Sequence, residues 1–203
     1  MRSEQAVGGS EHVVQLFDSS KSLAATVGAF LLGGLERNEN VLVVATPEHR
    51  ELLSRRLEEA GWNVRKLMAA NRLMICDAVR MLDKFMRKDT PSPIAFDEVV
   101  GTIVRQLSNG KRLWIYGEMV DVLAARGNLR GAQQLEEMWN LLGQRECFTL
   151  FCGYASGHFG DPRAARALAG ICATHDCVHR KRDDILAEFL LDQQDVKTVA
   201  GRS

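Results

Sequence analysis

The chain has 203 residues, with 26 Lys+Arg balancing 26 Asp+Glu, and 46% of its residues are hydrophobic. Zero formal net charge removes the bulk attraction on which non-specific nucleic-acid binding depends, so no direct nucleic-acid partner is expected. No apolar run is long enough to cross a bilayer and no signal peptide opens the chain, which points to a single cytoplasmic domain without membrane contact.

Residues 1–10 are polar and bear Gly and Ser, and read as a flexible arm. HVVQLF (12–17) is the first strand candidate. Asp18 or Ser19 can cap the next helix, whose apolar positions Leu23, Val27, Phe30, Leu31 and Leu35 suit a buried face. NVLVVAT (40–46) is a nearly continuous apolar run, as a strand covered on both faces should be. Thr46 and Pro47 then open a helix that ends at Gly61.

NVRKLM (63–68) reads as a short strand and RLMICDA (72–78) as a central one. AVRMLDKFMRK is helical, the Pro91–Pro93 segment is a loop, and Ile94 to Ser108 forms a helix closed by Asn109-Gly110. KRLWIYGE (111–118) is a strand, followed by helices at 118–126 and 129–143. ECFTLFCGY (146–154) is the last clear strand, and Pro162 starts a helix running to Thr174. Residues 180–203 are charged except for ILAEFLL (185–191), an amphipathic segment that docks on the body or on a partner. Strands alternating with helices at these lengths predict an α/β fold with a mostly parallel sheet and helices on both faces.

In an open parallel sheet, ligands sit at the carboxyl ends of the strands. Those ends carry Asp18, Ser19, Ser20, Lys21 and Ser22, then Thr46, Pro47, Glu48 and His49, then Asp77, Glu118 and finally Tyr154. The bland readings stand beside this. Lys21-Ser22 suits a solvated helix start, Glu118 a helix dipole, and Tyr154 a core aromatic with a satisfied hydroxyl.

The cysteines are Cys76, Cys147, Cys152, Cys172 and Cys177. An odd count in a chain this size favours buried free thiols over disulfides. Cys172, His175, Cys177 and His179 fall within eight residues but lack the separated pairs of common zinc sites, so no metal centre is expected. The same four residues suit core packing and helix capping. A redox sensor on Cys172 and Cys177 lacks any sign of a lowered thiol pKa.

Several segments together resemble the MEDS domain, a sensory family named for methanogens, methylotrophs and the DcmR regulator. They are HVVQLF, FLLGGLERNENVLVVATPEHRELLSRRLEEAGWNV, RLWIYGEMVDVLAARGN, QQLEEMWNLL, FTLFCGY and ICATHDCVH, and they span residues 11 to 179. The most specific part is YGEMV followed by a helix carrying Leu135, Glu136, Trp139 and Asn140. The resemblance implies a RecA/KaiC-like three-layer fold and a sensory domain over 11–179.

It also implies a comparison with ATP-binding relatives, and here the chain departs from them. The phosphate-loop frame G-x-x-x-x-G-K-S puts Gln15 and Ser20 where glycines let the backbone wrap an anion, with only Lys21 and Ser22 matching. The paired glutamates of KaiC-like proteins fall on Pro47-Glu48, and Glu118 lies beyond the usual acidic position.

The expectation is a non-catalytic sensory module with a degenerate phosphate loop and no resident cofactor. Its candidate ligand edge is Asp18, Lys21, Ser22, Glu48, Glu118, Tyr154 and His175. The ligand would be a small organic molecule. No output domain is visible, so the signal is expected to reach a histidine kinase or transcription regulator as a separate partner, or to pass through a homo-oligomer. One alternative is a residual ATP binder or slow ATPase, with Lys21 on phosphate and Ser22 on Mg²⁺. Another is a protein-interaction scaffold using the 180–203 tail.

Overall fold

A computed structural model describes residues 11–159, 166–167, 169–170 and 177–179. The elements, in chain order, begin with β1 (Glu11–Phe17), α1 (Ser20–Glu36), β2 (Asn40–Ala45), α2 (Pro47–Glu59), α3 (Val64–Ala69) and β3 (Leu73–Asp77). Then come α4 (Ala78–Phe85), β4 (Met86–Arg87), β5 (Thr90–Pro91), α5 (Pro93–Phe96) and α6 (Thr102–Ser108). They close with β6 (Leu113–Gly117), α7 (Met119–Ala125), α8 (Leu129–Gly143), β7 (Phe148–Ala155) and β8 (Cys177–His179).

The central sheet has the order β3-β2-β6-β7-β1-β8, and its pairings are all parallel. Because strand side chains alternate, each strand feeds two cores. One face packs Val41, Val43, Tyr116 and Phe151 under Leu23, Val27 and Leu31 of α1 and Leu53 and Leu57 of α2. The other packs Val14, Leu42, Ile115 and Leu150 against α4 to α8, with Trp139 and Phe85 at its centre. This is the predicted α/β architecture, helices on both faces of a parallel sheet.

Close approach of α1 to the sheet needs a small residue. A Cβ on Gly34 would lie 2.6 Å from the Trp114 ring, so glycine lets the helix sit over that indole. Trp114 also packs against Phe30, with centroids 4.8 Å apart and the rings tilted by 50°.

Three segments differ from the elements expected of the sequence. NVRKLM is not a strand but α3: Asn63 caps it by accepting from the Lys66 amide, and Val64 and Leu67 turn inward at helical spacing. The helix expected over AVRMLDKFMRK stops at Phe85, where β4 turns back onto β5 with Lys88 at φ 55. ECFTLFCGY is not the last strand, since β8 runs parallel to β1.

Elsewhere the boundaries agree to within a few residues. The 94–108 helix is interrupted by a π-turn at Asp97–Gly101. Of the helix expected over 162–174, the four described residues are helical, and the rest lie outside the described residues. So do the 1–10 arm and the 180–203 tail. No helix among the described residues is long and apolar enough to cross a membrane.

Candidate functional site

β1 and α1 are separated by only Asp18 and Ser19. Ser19 caps α1 by accepting from the Ser22 amide, and the Ser22 hydroxyl donates to Asp18 Oδ1 at 2.9 Å. Lys21 is exposed on the first turn. Gln15 lies inside β1, buried against α1, with its Nε2 donating to Thr26 Oγ1 at 3.4 Å.

The carboxyl ends of β2 and β6 lie side by side, and Glu118 joins them. It stands directly before α7 without capping it through its side chain, is 1% exposed, and receives three donors. The Thr46 amide donates to Oε2 at 2.8 Å, while His49 Nδ1 (2.6 Å) and the Tyr116 hydroxyl (2.7 Å) donate to Oε1. Three donors thus converge on one buried carboxylate.

From Glu118 the network runs outward. His49 Nε2 meets Ser20 Oγ at 3.1 Å, and that hydroxyl donates to Glu48 Oε1 at 2.9 Å. With its proton given to Glu48, Ser20 accepts from His49. In that arrangement both ring nitrogens face acceptors, the geometry that favours the protonated ring. The hydrogen bond to Glu118 raises the pKa of His49 above its ordinary value, more than burial lowers it. Burial and the Glu118 charge push the Tyr116 phenol far up, so it stays a donor. Phe17 meets the His49 ring edge to face, with centroids 5.7 Å apart.

Two flanking clusters complete the edge. Arg50 Nη2 bonds Asp77 Oδ2 at 2.9 Å, and Asp77 also caps α4 through the Arg80 amide. Asp121 Oδ1 receives the Ala155 amide and His158 Nδ1, each at 2.8 Å, and burial raises its pKa above that of an ordinary aspartate.

Of the residues the sequence singled out, Glu48 and Glu118 belong to one network through Ser20 and His49. Asp18 and Ser22 pair beside it on the β1–α1 turn. Tyr154 stands apart. It lies on the other face of the sheet, and its hydroxyl donates to Glu136 Oε1 at 2.7 Å. His175 lies outside the described residues. Tyr116 was missed as a ligand candidate, and His49, placed by the sequence at the carboxyl end of β2, was left out of the ligand edge. His49 had a usable signal, being a polar residue one helical position past Glu48 at a strand's carboxyl end.

The Tyr154 face holds a second polar cluster, also missed. His12 of β1, Cys152 of β7, and Glu136 and Asn140 of α8 converge there, with His12, Cys152 and Glu136 buried.

A cavity of about 310 Å³ opens at the opposite, amino edge, among Asn40, Asn71, Arg72, Leu107 and Lys111. Its polar groups tie loops together: Asn40 Nδ2 donates to Leu107 O and Arg72 to Leu35 O. Parallel sheets bind ligands at the other edge, so the candidate site is placed around Glu118 despite this cavity.

Fold and site define a three-layer α/β domain whose parallel sheet gathers its polar groups at the carboxyl edge. The chain belongs to the MEDS family, MEthanogen/methylotroph, DcmR Sensory domain, which it matches over residues 11–176. Its family role is thus sensory, within signal transduction.

Among solved structures it is similar to an uncharacterised protein of Pyrococcus horikoshii in complex with an unknown peptide. The identity is 17%, over 84% of this chain and 76% of that one, with a TM-score of 0.61. A KaiC-like protein of Pyrococcus horikoshii is 20% identical over 74% of this chain, with a TM-score of 0.47. The match covers 64% of that protein's length. No curated protein matches the chain in sequence.

Proposed function

We propose that this chain is a non-catalytic sensory module that binds a small organic molecule at the edge around Glu118 and signals to a regulatory protein. The observation that carries the reading is the continuous relay Glu48–Ser20–His49–Glu118. Its outer end is exposed and its inner end is buried between β2 and β6. A ligand that takes the Ser20 hydroxyl or the Glu48 carboxylate changes the hydrogen bonding of a buried imidazolium–carboxylate pair. That gives a surface event a route into the core. The recipient would be a histidine kinase or a transcription regulator.

A triphosphate fits this edge poorly. A phosphate loop needs several glycine-bearing residues between strand and helix, and here there are two residues. Gln15 stays in the strand, Ser22 is engaged by Asp18, and the Asp18 and Glu48 carboxylates repel a γ-phosphate. We therefore read the phosphate loop as degenerate.

A thermal-shift screen of small organic molecules, with and without Mg-ATP, tests the proposal. A ligand at 100 times its Kd adds about 2.7 kcal/mol of stability. The reading predicts such a shift for an organic molecule, abolished by Ser20→Ala. If no organic molecule shifts the wild type, the module is a scaffold and not a sensor.

A second reading follows from the order Ser20–His49–Glu118, which is that of an acyl-transfer triad at hydrogen-bonding distances of 3.1 and 2.6 Å. Protonation argues against it, because an imidazolium cannot take the serine proton. Labelling of Ser20 by a fluorophosphonate near neutral pH would establish the triad; an unreacted Ser20 supports the sensor.

A further inference from the structure

On the sheet face opposite Glu118, three chemically different donor atoms point at one another in the interior. His12 Nε2 lies 3.2 Å from Glu136 Oε2 and 3.3 Å from Cys152 Sγ, and Sγ lies 3.5 Å from Oε2. The three residues form a buried group able to hold a metal ion. Bonds of about 2.0 Å to N and O and about 2.3 Å to S, at tetrahedral angles, set ligand atoms about 3.3–3.6 Å apart. The triangle thus has the dimensions of one face of a tetrahedral zinc site.

The surroundings suit that role. His12 Nδ1 donates to Asn140 Oδ1 at 2.6 Å, which orients the ring so that Nε2 is the nitrogen facing Sγ and Oε2. Tyr154 donates to the other Glu136 oxygen at 2.7 Å, fixing the carboxylate's orientation. Charge also balances. A thiolate, a carboxylate and a neutral imidazole around a divalent cation sum to zero, which lowers the cost of burial.

We propose that His12, Glu136 and Cys152 form an interior site for one divalent transition-metal ion of the zinc class, bound through Nε2, Oε2 and Sγ. Binding replaces the thiol proton, which leaves to solvent, and involves no redox change. The site is independent of the Glu118 relay and of any ligand there.

The test uses the full chain, stripped with a chelator and titrated with Co²⁺ alone. The expected result is one Co²⁺ per chain with a thiolate-to-cobalt charge-transfer band. That band should be lost in Cys152→Ser and His12→Gln and kept in Cys76→Ser and Cys177→Ser, with folding checked by circular dichroism. X-ray absorption on the cobalt-loaded wild type needs no variant and should find a single sulfur among lighter scatterers. The proposal is overturned if the folded wild type binds no Co²⁺ or if the metal shell holds no sulfur or more than one. A band that survives Cys152→Ser but disappears in Cys177→Ser would overturn it as well.

Discussion

The Tyr116 hydroxyl donates to the carboxylate of Glu118, two residues on in the chain, at 2.7 Å. Side chains two apart lie on the same side of a strand, and Glu118 follows β6 directly, so the phenol and the carboxylate meet in the interior. Both groups are essentially without solvent, so each depends on the other. Removing the acceptor is the costlier change, because it orphans the Tyr116 hydroxyl, the Thr46 amide and His49 together. Glu118→Ala is expected to lose about 3 kcal/mol and Tyr116→Phe about 1.5 kcal/mol, read from urea unfolding at neutral pH. Equal, small losses from both would show that Glu118 is not the hub.

Gly153 makes room for that phenol. A Cβ at this position would lie 2.8 Å from the Tyr116 hydroxyl oxygen. Gly153→Ala is expected to cost about 2 kcal/mol in the wild type, through overpacking and a displaced hydroxyl. In a Tyr116→Phe background the cost should fall by at least half, and a double-mutant cycle on unfolding free energies measures the difference.

His49 makes the stability dependent on pH. Its pKa in the folded chain is raised from 6.5, chiefly by the hydrogen bond to Glu118. The folded state therefore holds the proton more tightly than the unfolded one. Its contribution is complete below about pH 6.5 and is lost as the pH rises through the higher folded value. Melting temperatures of the wild type and His49→Gln, compared from about pH 6 to about pH 8, should converge as the pH rises. A gap that widens with pH would contradict the relay's protonation.

The strands were legible because their patterns are strong. VLVVA and LWIYG are apolar almost throughout, as β2 and β6 must be when both faces are covered. α3 was not, because Val64, Leu67 and Met68 can be read as a short apolar run, and only the Asn63 cap separates helix from strand. The two-residue strands β4 and β5 are too short to show any period.

Glu118 was legible as a charge directly after an apolar strand. Its partners were not, because pairing His49 with Glu118 requires knowing that β2 neighbours β6. Tyr154 was grouped with the wrong face for the same reason. Only the register of β7 against β6 shows which of Gly153 and Tyr154 faces Tyr116. Glu136 did carry a signal, an acid on the apolar stripe of Leu135, Trp139 and Leu142. Its partner His12, however, lies on β1, far away in sequence.

In the proposed function, the edge around Glu118 recognises a molecule other than a nucleoside triphosphate. Isothermal titration of the full chain with Mg-ATP, on the wild type and Lys21→Ala, tests it most directly. No saturable binding heat is expected in either protein. Tight Mg-ATP binding to the wild type that disappears in Lys21→Ala would contradict it.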